Sequence, residues 1–75
     1  MPRKAALKRL AGLAPQVEAH LAKIEQAPTS LSVPHWRKEV DNWLRHMEVL
    51  LPHVGARTAA DWEVRIAEWR ARLGT

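Results

Sequence analysis

Hydrophobic side chains recur at helical spacing in two stretches of this chain, and both stretches share one arrangement. In each, large apolar residues stand at offsets of zero, four, seven and eleven. At about 100° per residue, these offsets place the four side chains within a narrow arc of a helix. The stretches contain all four tryptophans of the chain, and we expect the indoles to meet in one core. The two stripes are Trp36, Val40, Trp43, Met47 and Trp62, Ile66, Trp69, Leu73.

A third apolar stripe precedes these two and predicts an earlier helix. Proline lacks a backbone N–H and is best tolerated in the first turn of a helix, so we place the start at Pro15. The residue before Pro28 disfavours helical geometry, and we expect the helix to end near residue 26. The predicted core residues of this helix are Val17, Leu21 and Ile24.

The first thirteen residues form a separate element in this interpretation. Leu7 and Leu10 share one face and are flanked by basic residues, which is compatible with one or two helical turns. The three/four spacing also continues across Pro15, so one kinked helix is the alternative. We favour a break, with residues 1–13 as a basic N-terminal arm and residues 14–75 as a helical bundle domain.

The remaining helix ends follow from prolines, a cap and a glycine. Pro34 suits a first turn and Pro52 ends the same helix. Thr58, followed three residues later by Asp61, resembles a capping box with Asp in place of the usual Glu or Gln. Gly74 supplies the last helix end. The predicted fold is an all-α three-helix bundle with helices at about 15–26, 34–51 and 58–73.

The last helix has two further rows besides its tryptophan stripe. One alternates acids and bases at residues 61, 65, 68 and 72, and predicts ion pairs within the helix. The other is small and apolar on nearly the opposite side, although alanine also simply favours helices. We expect this row to pack on another helix, from the arm or from a second chain. The predicted interface residues are Ala60, Val64, Ala67 and Ala71, with Leu7 and Leu10 of the arm.

Charge is distributed unevenly along the chain. The net charge of +4 belongs to the first ten residues, which hold four bases and no acid. Such an arm can lie along a phosphate backbone and release counterions. Against this, the tryptophans have core spacing rather than the exposure needed for base stacking. Nucleic-acid binding is therefore the alternative function, through Arg3, Lys4, Lys8 and Arg9 of the arm with Arg57 and Arg70.

Residues that would support catalysis or metal binding are sparse. The chain has no cysteine and three glycines, so it offers neither a thiolate nor a glycine-rich phosphate loop. His35 and Glu39 lie one helical turn apart, but a zinc site needs further ligands. We interpret the four histidines as solvated or edge-packed. We expect no enzyme activity, no catalytic or metal site, no cofactor and no small-molecule substrate.

Targeting signals are equally sparse. No apolar run approaches the roughly 20 residues that cross a bilayer, and no apolar segment follows the basic start as in a secretory signal. The absence of cysteine is compatible with a reducing cytoplasm. We therefore expect a cytoplasmic protein without a membrane span.

The surplus of apolar rows over what three short helices can bury favours one function. We expect a small non-catalytic module for protein–protein interaction or dimerisation, acting as an adaptor, regulator or inhibitor. A protein partner or a second copy would cover the spare row, and a homo-oligomer is the expected assembly.

Overall fold

A computed structural model describes residues 1–74 of the chain as three α-helices joined by short connections. Helix α1 spans Arg3–Gln26, α2 spans Val33–Leu50 and α3 spans Ala56–Leu73, with a single 3₁₀ turn at Leu51–His53 between the last two. The described part contains no β-strand. The predicted all-α three-helix bundle is therefore confirmed. Thr75, with which the predicted domain ends, lies outside the described residues.

The helices lie side by side along a long axis of 40 Å, and the other two dimensions are 18 and 15 Å. Arg3 near the start of α1 contacts Thr58 near the start of α3, and Glu25 at the end of α1 contacts Arg72 at the end of α3. Helices α1 and α3 therefore run in the same direction. Because short connections join α2 to both, α2 runs in the opposite direction.

Helix α1 is continuous through Pro15, so the predicted break and separate arm are wrong. Proline inside a helix costs about 3 kcal/mol relative to alanine. Burial of apolar side chains on both sides of Pro15 outweighs this cost, since a fully buried leucine alone contributes about 1.5–3 kcal/mol. The alternative prediction, one kinked helix that continues across Pro15, gave the correct extent of α1. The buried residues of α1 are Ala6, Leu10, Ala14, Val17 and Leu21.

The ends of α2 and α3 agree with the sequence in part. Pro34 lies in the first turn of α2, as predicted. Helix α3 begins at Ala56, before the predicted start, and no side chain caps it, so the Thr58 capping box does not form. At the other end Gly74 adopts the left-handed conformation with φ of 86° and ends the helix as predicted.

The core is mainly aliphatic, and Trp69 is the one tryptophan buried in it, with 3% of its surface exposed. Trp43 and Trp62 are half-buried and pack against this core. Trp36 is half-buried beneath Lys23, so the expectation of four indoles meeting in one core is not confirmed. The longer α1 and the 3₁₀ turn bring additional aliphatic side chains inside, at Ala6, Leu10 and Leu51. Other predicted core residues are buried at Val17, Leu21, Val40, Met47, Ile66 and Leu73, and half-buried at Ile24.

Candidate functional site

The small apolar row of α3 lies on the solvent-facing side of the helix. Ala60, Val64, Ala67 and Ala71 are all exposed, and 59% of the Val64 surface is open to solvent. They face away from the core because the buried residues Ile66, Trp69 and Leu73 occupy the opposite arc. The row therefore has no packing partner within residues 1–74. We call these four residues the alanine row.

The two arm leucines do not extend this surface. Leu10 is fully buried in the core, so its predicted place in an interface is wrong. Leu7 is half-buried and packs against the same core. Both follow from the continuous α1, which turns this part of the chain toward α2 and α3. The exposed interface candidates are thus confined to the alanine row.

Three carboxylates flank the alanine row. Asp61, Glu63 and Glu68 are exposed and form no ion pair within residues 1–74. The predicted pairs within α3, from residue 61 to 65 and from 68 to 72, do not form. Arg65 stacks on tryptophans of α3 instead, and Arg72 reaches α1, which leaves the outward side of α3 apolar and acidic.

Arg70 connects α3 to α2 and is not available for a nucleic acid, contrary to the prediction. Its guanidinium donates to Asp41 at 3.2 Å and also to Glu48. The Glu48 carboxylate is the main reason why the pKa of Arg70 is raised. Asp41 also forms an ion pair with Arg45, at 3.1 Å. These residues are four apart in α2, the spacing at which side chains of one helix meet.

Arg72 connects α3 to α1 on the other side. It donates to both oxygens of Glu25, at 2.7 and 3.3 Å, and to Glu18 at 2.8 Å. Trp69 Nε1 donates to the second oxygen of Glu18 at 2.6 Å. The Arg72 hydrogen bonds lower the pKa of both carboxyl groups, and Trp69 lowers that of Glu18 further. Helix α3 is thus held by ion pairs on two sides.

An open cavity of about 430 Å³ lies between α1 and α3, and we call it the α1–α3 groove. Arg65 extends beside it over two indoles, with its guanidinium carbon 4.4 Å from the Trp62 ring centre and 4.9 Å from that of Trp69. The sequence placed Arg65 in an ion pair with Asp61 and missed this stacking. Tryptophan three residues before and four after an arginine was the available signal. The groove is lined by Ala11, Ala14, Pro15, Glu18, Trp62 and Arg65.

Basic residues collect where α1 and α3 begin. Residues 1–17 and 49–60 contain no aspartate or glutamate, and the contact between Arg3 and Thr58 brings these segments together. We call this region the basic end. Arg57, from the start of α3, joins the arm bases there, as the nucleic-acid alternative requires. The bases of this end are Arg3, Lys4, Lys8, Arg9 and Arg57.

A larger open cavity of about 670 Å³ lies where the 3₁₀ turn meets α3, with Glu48 and Glu63 on its rim. The rest of its lining is apolar or backbone, at Leu51, Pro52, Gly55, Ala56 and Ala59. The two carboxylates are not accompanied there by a histidine, a hydroxyl or a base.

Two histidines meet one carboxylate between α1 and α2. His20 Nε2 lies 2.7 Å and His35 Nε2 lies 2.9 Å from different oxygens of Glu39. The His20 ring packs edge-on against Trp43, with ring centres 4.6 Å apart. No three potential ligands converge on a metal position in the described residues. This cluster therefore joins two helices, and the sequence had indicated only its His35–Glu39 half.

No helix within residues 1–74 combines the length and the hydropathy of a bilayer-crossing segment. Comparison of the chain with protein-family models, with curated proteins and with solved structures gives no match.

Proposed function

We propose that this chain is a small non-catalytic helical module for protein–protein interaction, and that it pairs with a second copy through the alanine row of α3. The observation that supports this proposal is a complete core that leaves an apolar row on the outward side of a helix. Three of the four residues in the row are alanines, whose small side chains permit close approach of two helix backbones.

The flanking charges give this pairing a recognisable salt dependence. Asp61, Glu63 and Glu68 border the alanine row, and a second copy brings the same three carboxylates. Their mutual repulsion opposes association and is screened by salt, with a Debye length of about 8 Å at physiological ionic strength. Self-association is therefore expected to strengthen as salt is added.

The test is the molar mass of the full chain by light scattering over a range of protein and salt concentrations. Wild-type protein is expected to be dimeric, and Ala67→Glu to be monomeric because it places a charge in the centre of the row. Ala19→Glu makes the same substitution at an exposed position of α1 and is expected to leave the dimer intact. A monomeric wild type, or an unchanged dimer in Ala67→Glu, would contradict the proposed pairing.

The basic end supports a second candidate, nucleic-acid binding. None of its five bases forms an ion pair within residues 1–74, and Arg3 donates to the Thr58 hydroxyl. Basic side chains that contact phosphates hold a nucleic acid in place without reading its base sequence.

Charge neutralisation is the suitable test of this candidate, because deleting the first residues would also remove Ala6 and Leu10 from the core. The double variant Lys4→Gln, Lys8→Gln is expected to weaken DNA binding. The slope of the binding constant against salt concentration should fall by the equivalent of about two phosphate contacts. Binding that weakens with salt distinguishes this candidate from self-association, which strengthens. If the affinity of the wild-type protein for DNA does not change with salt, nucleic-acid binding through the basic end is excluded.

A further inference from the structure

The α1–α3 groove combines an apolar floor with a cation, Arg65, that forms no ion pair within residues 1–74. Ala11, Ala14 and Pro15 form the α1 side and Trp62 forms the α3 side of its 430 Å³ volume. Trp62 is half-buried and its side chain lines the groove. These surfaces suit an apolar side chain of moderate size.

Arg65 is held in an orientation suited to binding a carboxylate. Its guanidinium lies over the indoles of Trp62 and Trp69, and stacking of this kind covers a face of the guanidinium while leaving its N–H edges accessible. Within residues 1–74, Arg65 forms no ion pair and no side-chain hydrogen bond. A planar guanidinium with free edges binds carboxylates through two parallel hydrogen bonds.

The charges around the groove also favour an acidic ligand. Lys4 and Lys8 precede Ala11 and Pro15 at helical spacing, so they extend the same side of α1 toward its start. Glu18 is the carboxylate in the lining, and its two oxygens already accept from Trp69 and Arg72. Arg65 and Glu18 balance each other within the lining, and Asp61 lies one turn before Arg65, so the positive charge that favours an acidic ligand is that of the two lysines together with the unpaired N–H edges of Arg65.

Pro15 leaves a backbone acceptor at the same place. Having no N–H, it cannot donate to the carbonyl of Ala11, which is its usual partner one turn earlier in the helix. Both residues line the groove. A ligand that brings a backbone N–H can donate to this carbonyl, and a peptide has such groups whereas a nucleic acid backbone has none.

We propose that the α1–α3 groove binds an acidic peptide segment of a partner protein. An apolar side chain of the segment occupies the cavity against Trp62, and a neighbouring carboxylate pairs with Arg65. This inference rests on the proposed function as an interaction module, but it assigns a surface and a partner chemistry distinct from those of the alanine row.

The experiment titrates the isotope-labelled full chain with acetyl-Leu-Glu-Leu-Glu-Leu-amide and follows backbone and indole N–H signals by NMR. The matched peptide carries glutamine in place of glutamate. We expect the acidic peptide to shift the Trp62 indole signal, and Arg65→Gln to weaken its affinity by about fivefold or more, since a bidentate charged pair is lost. Arg65→Lys is expected to bind the peptide more tightly than Arg65→Gln but less tightly than the wild type, because an ammonium lacks the planar fork of a guanidinium.

Two further variants test the charge argument. Lys38→Gln removes the same charge from an exposed position of α2 and is expected to leave the affinity unchanged. Asp61→Asn removes a carboxylate one turn before Arg65 and is expected to increase it. Equal binding of the glutamine peptide, or full binding by Arg65→Gln, would overturn the inference.

Alternative occupants and the other interface are tested in the same titration. Tighter binding of oligothymidylate or of 3-phenylpropionate than of the acidic peptide would overturn the assignment to a peptide. Ala67→Glu is expected to bind the peptide like the wild type. If the chain binds the peptide but is monomeric, the proposal for the groove stands and the proposal of pairing through the alanine row is refuted. The two proposals can therefore fail separately.

Discussion

The hydrogen bond between Trp69 and Glu18 is the contact in this bundle whose contribution can be isolated most directly. Trp69 Nε1 donates to Glu18 Oε1 at 2.6 Å, and the indole is 3% exposed. Trp69→Phe keeps an aromatic ring in the core but removes the donor. The hydrogen bond has a charged acceptor, and such bonds contribute about 1.5–3 kcal/mol.

The expected magnitude is lower than that range because 51% of the Glu18 side chain is open to solvent. We expect about 1 kcal/mol from the hydrogen bond after screening and about 1 kcal/mol from the smaller apolar area of phenylalanine. The total, about 2 kcal/mol, is below the roughly 4–11 kcal/mol typical of a chain this long, so the variant should remain folded.

The assay is urea unfolding followed by circular dichroism in a double-mutant cycle. Trp69→Phe, Glu18→Ala and the double variant together give the coupling energy, which we expect to be about 1 kcal/mol. Trp36→Phe is the matched control, because Trp36 is half-buried and its indole N–H donates no hydrogen bond within residues 1–74. A coupling energy below about 0.3 kcal/mol, or equal losses in Trp69→Phe and Trp36→Phe, would refute this reasoning.

Two further predictions concern α1 and its ion pairs. Because Arg72 lowers the pKa of Glu18 and Glu25 below their ordinary value of 4.5, their stabilising effect is present above that pH and is lost as the pH falls through the lowered values. Melting temperatures should therefore decline below pH 4.5 in the wild type and decline less in Arg72→Gln; parallel curves would be evidence against this role. Pro15→Ala restores the hydrogen bond to Ala11 but makes the unfolded chain more flexible. The net effect should be an increase of about 1–2 kcal/mol in the free energy of urea unfolding; a decrease would show that α1 needs the proline.

Periodicity identified the three helices because each buries one continuous stripe of apolar side chains. The start of α1 was misplaced by the local proline rule, which treats Pro15 as a helix start although the apolar spacing continues across it. The burial that carries the helix through Pro15 depends on α2 and α3, which local sequence does not reveal. Gly74, by contrast, acts through its own backbone, and its role as a helix end was predictable.

Side-chain partners were harder to predict than helices. The spacing of Arg72 suggested Glu68 on the same helix, but the bundle brings Glu18 and Glu25 of α1 within reach. Arg65 likewise stacks on tryptophans of its own helix, where local spacing also allowed an ion pair. Local spacing gives the available contacts, and packing selects among them.

The basic end also makes the whole molecule electrically asymmetric. Helices α1 and α3 both start there, so two backbone dipoles place partial positive charge beside the side-chain cations, and only α2 opposes them. Along the 40 Å axis, the protein thus resembles a permanent dipole whose positive pole includes residues 1–10, which hold four bases and no acid. An electric field from an anionic surface would rotate the molecule during its final approach, within about 8 Å in physiological salt. Contact would then begin at the shared starting end of α1 and α3, whichever partner carries the field.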